Sequence, residues 1–169
     1  MPLKDVKLLI LDVDGVLTDG SIFIDESGRE TKRFHVRDGL GITAWLRCGY
    51  EIAILSSRIT RAVTHRATEL GIQRIEQGVA EKHIGLENLC RNVGVDAEEV
   101  AYLGDDLADL PALCRVGYPM AVADAAPEVQ QVASFITGRP GGSGAVREAV
   151  EHMLHELGRW DEVLEHYGL

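Results

Sequence analysis

Asp12 and Asp14 stand two residues apart after the apolar run Leu-Leu-Ile-Leu at 8–11, on a turn opened by Gly15. Alternate side chains of a strand point the same way, so this spacing predicts two carboxylates side by side. Like charges at that separation repel. The pair is stable if a cation sits between the carboxylates, or if one of them keeps a proton because its neighbour raises its pKa. The first arrangement is a site for a hard divalent ion, and the second sets a nucleophile beside a general acid. A surface turn also favours Asp and Gly, but it leaves the apolar run before them unexplained.

Other residues of the same chemical character follow other short apolar segments. Ser56, Ser57 and Arg58 come after EIAIL (51–55), and Asp105, Asp106 and Asp109 come after the segment at 100–103. Lys82 opens a helical pattern beyond the Gln77-Gly78 turn. Taken singly, each has an ordinary explanation: Ser56 as a turn or cap residue, Lys82 as a solvated helix lysine, Asp105 and Asp106 as caps, Asp109 as surface charge. Together and in chain order they supply what phosphoryl transfer requires. Carboxylates hold a metal, a lysine and a hydroxyl meet the phosphoryl oxygens, and one carboxylate attacks in line.

The elements that must position these residues alternate. Strands are expected at 8–11, 51–55, near 74–76, at 100–103, 119–122 and 134–137. Helices are expected after Asp38-Gly39 through Cys48, then at 60–70, 80–93, 107–114, 127–132, 144–157 and 160–167, several of them closed by glycines. A hairpin turning at Asp25–Gly28 occupies 21–36 and exposes Ile22, Phe23 and Ile24. Short strands between longer helices indicate a mostly parallel α/β sheet covered on both faces, whose ligands bind beyond the carboxyl ends of the strands. The candidate residues sit at those ends.

A chain of 169 residues with 46% hydrophobic content suits a single domain, 1–169. A net charge of −10 argues against nucleic acid or an anionic membrane as partner, so an anionic substrate must be held locally by a metal and a few cations. Cys48, Cys90 and Cys114 lack metal or redox spacing and read as reduced, small core residues. The amino terminus shows no signal segment and no stretch is long and apolar enough to span a bilayer, so the expectation is a soluble, cytoplasmic protein. GGSG at 141–144 lacks the first-strand context of a dinucleotide loop and reads as a turn. His152 and His155, three apart on the terminal helix, read as a solvated face.

DVDGVLTDG, ILSSR, Lys82 and GDDLADLP resemble the four motifs of the haloacid dehalogenase superfamily of aspartyl-phosphate phosphatases. FHVRDGLGI (34–42), AVADAAP (121–127) and GGSGAVRE (141–148) narrow the resemblance to the subfamily acting on 3-deoxy-D-manno-octulosonate 8-phosphate. The resemblance implies a capless Rossmann-like fold with a β-hairpin flap after the first strand, and a homotetramer in which a neighbour helps to close each site. It further implies a place in lipopolysaccharide biosynthesis. Asp12 would be the nucleophile and Asp14 the proton carrier. Mg2+ would be held by Asp12, the backbone carbonyl of Asp14 and Asp105, with Asp106 and Asp109 behind them, while Ser56 and Lys82 would bind the phosphoryl oxygens. The subfamily's second motif reads Thr-Gly-Arg where this chain has Ser56-Ser57-Arg58; Ser56 keeps the hydroxyl, and Ser57 restricts φ > 0 and adds a side chain near the site.

A sugar acid phosphate also presents a carboxylate, which suits arginine. Arg58 and Arg37 are the first candidates, with Ser57 beside them and Arg147 and Lys32 behind. Alternatives are a phosphatase of a nine-carbon ulosonate 9-phosphate, a non-catalytic oligomerisation module, and a phospho-accepting receiver. In the receiver the accepting Asp ends the third strand, where this chain has Ser56.

Overall fold

The computed structural model describes residues 3–169. A parallel sheet of six strands runs in the order β5-β4-β1-β6-β7-β8, comprising β1 (Leu8–Leu11), β4 (Glu51–Ser56), β5 (Arg74–Gln77), β6 (Val100–Gly104), β7 (Tyr118–Ala121) and β8 (Phe135–Ile136). β1 lies between β4 and β6, with Leu11 paired to Ile54 on one side and Leu103 on the other. All four β1 residues are sealed from solvent, so its unbroken apolar run is the signature of a strand covered on both faces.

The helices are α1 (Val36–Arg47), α2 (Arg61–Leu70), α3 (Lys82–Val93), α4 (Leu110–Leu113), α5 (Pro127–Val132), α6 (Ala145–Glu156) and α7 (Trp160–His166). α1 packs against α2 and α6, while α3, α4 and α5 form a second group. Local chemistry sets their ends: Thr60 Oγ1 accepts from Ala62 N at 3.2 Å to start α2, and Gly71 and Gly94 take the left-handed conformation that closes α2 and α3. No described helix is long and apolar enough to cross a membrane.

Three expectations shift. α1 starts at Val36, so Asp38 and Gly39 lie inside its first turn rather than before it. A side chain at Gly39 would collide with Arg66 and Leu70 of α2, and that close packing overrides the low helix propensity of glycine. The hairpin ladder is short, β2 (Phe23–Ile24) on β3 (Glu30–Thr31), but its apolar residues are exposed as expected. Cys48 and Cys90 are buried, whereas Cys114, at the end of α4, is exposed.

Candidate active site

Asp12 follows β1 and its amide donates to Leu103 O at 3.1 Å, which ties the strand end to β6. The chain then turns through Val13–Leu17, closed by Thr18 N donating to Val13 O at 3.0 Å. Asp14 and Gly15 leave helical geometry inside this turn, Gly15 with φ of 89°. A Cβ at Gly15 would stand 1.9 Å from Asp105 Oδ2, so glycine is required here both by its backbone and by the approach of the second carboxylate loop.

Asp12 and Asp14 both line the crevice, but their carboxylates have different partners. Asp12 is buried and its Oδ1 accepts from Lys82 Nζ at 2.7 Å. Asp14 turns to the rim, where it pairs with Lys32 and, at 3.7 Å, with Arg58 Nε. The strand period predicts two carboxylates at one site, and both residues line it, Asp12 buried beside Lys82 and Asp14 half-buried beside Lys32 and Arg58.

Lys82 opens α3, where a cation opposes the helix dipole. Two carboxylates offset that placement: besides Asp12, Asp109 Oδ1 lies 2.5 Å from the Lys82 ammonium. Asp109 is fully buried and saturated. Its Oδ1 also accepts from Tyr102 Oη at 2.7 Å, and its Oδ2 accepts from the amides of Asp105 at 2.9 Å and Asp106 at 3.2 Å. Asp106 caps the turn at Leu107–Asp109, its Oδ1 accepting from Leu107 N at 2.8 Å.

Among the described residues, Asp12, Asp105 and Asp109 can bring carboxylate oxygens within 4.8 Å of one another. Burial raises the pKa of Asp12 and Asp105, and the neighbouring carboxylates raise both further, against the lowering effect of Lys82. One lysine does not neutralise three acids, so the donor set fits a hard divalent cation. Asp109, with both oxygens engaged, fits the role of holding Lys82 and the Asp105 loop rather than the ion.

Ser56 is buried at the end of β4 and its Oγ accepts from Arg58 N at 3.3 Å, while Ser57 and Arg58 lie at the rim. No non-glycine residue described has positive φ, so Ser57 sits in ordinary backbone and its loop carries no strain from the missing glycine. Asp12, Asp14, Ser56, Ser57, Arg58, Lys82, Asp105, Asp106 and Asp109 thus line one crevice with Ala108.

Arg37 does not join them. It lies in the first turn of α1 and lines a separate cavity with Arg139 and Arg147. Arg147 is engaged elsewhere, with its Nε 2.7 Å from Glu151 Oε1 and its guanidinium over Trp160. His152 stacks on Phe135 and shares a hydrogen bond of 2.9 Å with Tyr118 Oη, so it is a packed residue rather than a solvated one.

Two residues of the site carry no sequence signal of their own. Glu30, on the hairpin, bridges Lys32 at 2.9 Å and Arg58 at 2.7 Å, and with them forms a charged wall around Asp14. Tyr102 was legible only as a strand residue; a tyrosine inside a fully buried strand needs a partner for its hydroxyl, and Asp109 is that partner.

A sequence model of the haloacid dehalogenase-like hydrolases matches residues 68–148. The 3-deoxy-D-manno-octulosonate 8-phosphate phosphatase KdsC of Escherichia coli (strain B / BL21-DE3) is 43% identical over 159 residues, 94% of this chain and 85% of the relative. The 3-deoxy-D-manno-octulosonate 8-phosphate phosphatase of Moraxella catarrhalis, solved with magnesium, phosphate and KDO, superposes with a TM-score of 0.95 at 38% identity, covering 98% of this chain and 95% of that one. The cobalt-bound deoxy-D-mannose-octulosonate 8-phosphate phosphatase of Haemophilus influenzae gives a TM-score of 0.90 at 40% identity over 94% of this chain and 92% of its own.

Proposed function

Since the chain belongs to the KdsC family of haloacid dehalogenase-like hydrolases, we propose that it is a Mg2+-dependent phosphatase converting 3-deoxy-D-manno-octulosonate 8-phosphate to the free sugar acid and phosphate. The observation that carries this reading is the convergence of Asp12, Ser56, Asp105, Asp109 and Lys82, all buried or half-buried, beneath a rim that holds Asp14, Ser57 and Arg58. The resemblance places the reaction in lipopolysaccharide biosynthesis.

In this reading the Asp12 carboxylate attacks phosphorus, forming an aspartyl-phosphate as the ester bond to the sugar breaks. Asp14 gives its proton to the departing sugar oxygen. Water then attacks the aspartyl-phosphate, Asp14 takes the water's proton, and the bond between phosphorus and Asp12 breaks. Lys82 and Ser56 stabilise the phosphoryl oxygens, and Lys82 keeps Asp12 ionised when the site is otherwise crowded with acids. Asp12, the carbonyl of Asp14 and Asp105 would hold Mg2+, which supplies charge neutralisation to the cluster and the phosphoryl group. Asp106 and Asp109 fix the loop that presents Asp105.

Arg58 and Ser57, at the rim, meet the sugar carboxylate and hydroxyls. Arg37 lies off its own crevice, so its part in substrate binding is assigned to the crevice of a neighbouring copy. That assignment fits a homotetramer built on the exposed hairpin residues Ile22, Phe23 and Ile24, since a two-stranded hairpin is marginal alone in water. A monomeric mass in light scattering at micromolar concentration would contradict it. The remaining expectations, one domain over 1–169 and a soluble cytoplasmic protein, belong to the same reading.

The substrate assignment is tested by comparing kcat/KM for 3-deoxy-D-manno-octulosonate 8-phosphate with that for a nine-carbon ulosonate 9-phosphate. A higher value for the eight-carbon substrate is expected, and the reverse order would transfer the assignment to the longer sugar.

A further inference from the structure

Asp38, Asp124 and the glycines at 141–144 contribute no side chain to the crevice, yet they converge behind it. Asp38, buried in the first turn of α1, accepts from the amides of Gly144 at 3.2 Å and Arg147 at 2.9 Å. It therefore caps α6 from another helix, because Gly144 at the N-cap has no side chain to do so. Asp124 Oδ1 accepts from the amide of Gly141 at 2.9 Å.

Between these two anchors the glycine loop presses on the turn that carries Asp14. The amide of Gly142 donates to Val16 O at 2.9 Å. A Cβ at Gly141 would stand 1.8 Å from Gly15 O, and one at Gly142 would stand 2.4 Å from Asp19 N. The segment that holds Asp124 also reaches the other carboxylate loop, since Ala126 N donates to Asp105 O at 2.7 Å. The backbones of both loops are thus tied to one scaffold.

We propose that Asp38 and Asp124 are positioning residues which, through the Gly141–Gly144 loop, hold the Asp14–Val16 backbone in register with Asp105. The assignment rests on the metal reading above, in which a backbone carbonyl of this turn is a ligand. A carbonyl carries no net charge and only its direction can be tuned. A small hard ion demands near-ideal geometry, so a loose turn costs affinity even with every ligand present.

The test is Mn2+ affinity of the purified protein, read by electron paramagnetic resonance without turnover, together with the melting temperature. Asp124→Ala, at an exposed position, is expected to weaken Mn2+ binding by about 10-fold or more, in the range seen when partners of metal ligands are lost. Asp124→Asn keeps an oxygen for the Gly141 amide and is expected to restore it. Asp38→Asn, which keeps one of two acceptors, is expected to fall between wild type and Asp124→Ala. Wild-type Mn2+ affinity in Asp124→Ala overturns the proposal, as does equal weakening in Asp124→Asn, which would make charge rather than the hydrogen bond responsible. Absence of Mn2+ binding by the wild type would instead overturn the metal reading itself, and this assignment with it.

Discussion

The ammonium of Lys82 lies 2.7 Å from Oδ1 of Asp12, with both side chains nearly closed to solvent. A buried pair of this kind contributes little over an apolar pair, but removing one partner leaves the other charge uncompensated. Lys82→Met is expected to lower the unfolding free energy by about 3–5 kcal/mol and turnover of p-nitrophenyl phosphate by roughly 100- to 1,000-fold. Urea unfolding and steady-state kinetics measure both. A stable and active variant would remove Lys82 from the mechanism.

Asp14 stands at the rim, paired to Lys32 and Arg58, apart from the buried cluster. Its proposed role is proton transfer, so Asp14→Asn separates the two chemical steps. The p-nitrophenolate leaving group departs without a proton, and the second step then stalls for want of a base. Intact-protein mass spectrometry is expected to show a stoichiometric phosphoryl adduct. Unchanged steady-state turnover would contradict the assignment.

Burial and the neighbouring carboxylates push Asp12 up to about 6 and Asp105 up to about 8. The metal-free folded chain therefore binds more protons than the unfolded chain between about pH 4 and the folded values. The stability these groups contribute is present at acid pH and is lost as the pH rises through the folded values. Metal ligands must be deprotonated, so Mg2+ replaces those protons. The rise in melting temperature on adding Mg2+ is expected to widen between about pH 5 and about pH 8. A constant rise would show that these carboxyls do not hold the ion.

Much of this arrangement is legible in the residues themselves. Leu8–Leu11 reads as a doubly covered strand, and the carboxylates and Ser56 after successive strands, with Lys82 at a helix start, point to one crevice. Three features escaped because they depend on tertiary contact. The partners of Asp14, Lys32 and Arg58, come from the hairpin and from the loop after β4, a pairing that residue spacing does not encode. Glu30 becomes part of the site only when the hairpin brings it to Lys32 and Arg58. Asp38-Gly39 reads as a helix boundary until Arg66 and Leu70 are packed against the glycine.

Glu30 Oε2 lies 2.7 Å from the Arg58 guanidinium, a carboxylate where the substrate's carboxylate is assigned to bind. Arg58 is partly exposed, so the pair itself adds little stability and is free to exchange. Arg58→Ala is expected to lower kcat/KM for 3-deoxy-D-manno-octulosonate 8-phosphate by about 10-fold or more, with a much smaller effect on p-nitrophenyl phosphate. Equal losses on the two substrates would refute a role in recognising the sugar acid.

In the proposed mechanism Asp12 carries the covalent step. Phosphate release from 3-deoxy-D-manno-octulosonate 8-phosphate with Mg2+, measured for the wild type and for Asp12→Asn, decides whether its carboxylate is the nucleophile. The wild type is expected to turn over and the variant to fall by at least about 1,000-fold while remaining folded. Turnover surviving in Asp12→Asn would contradict the aspartyl-phosphate mechanism.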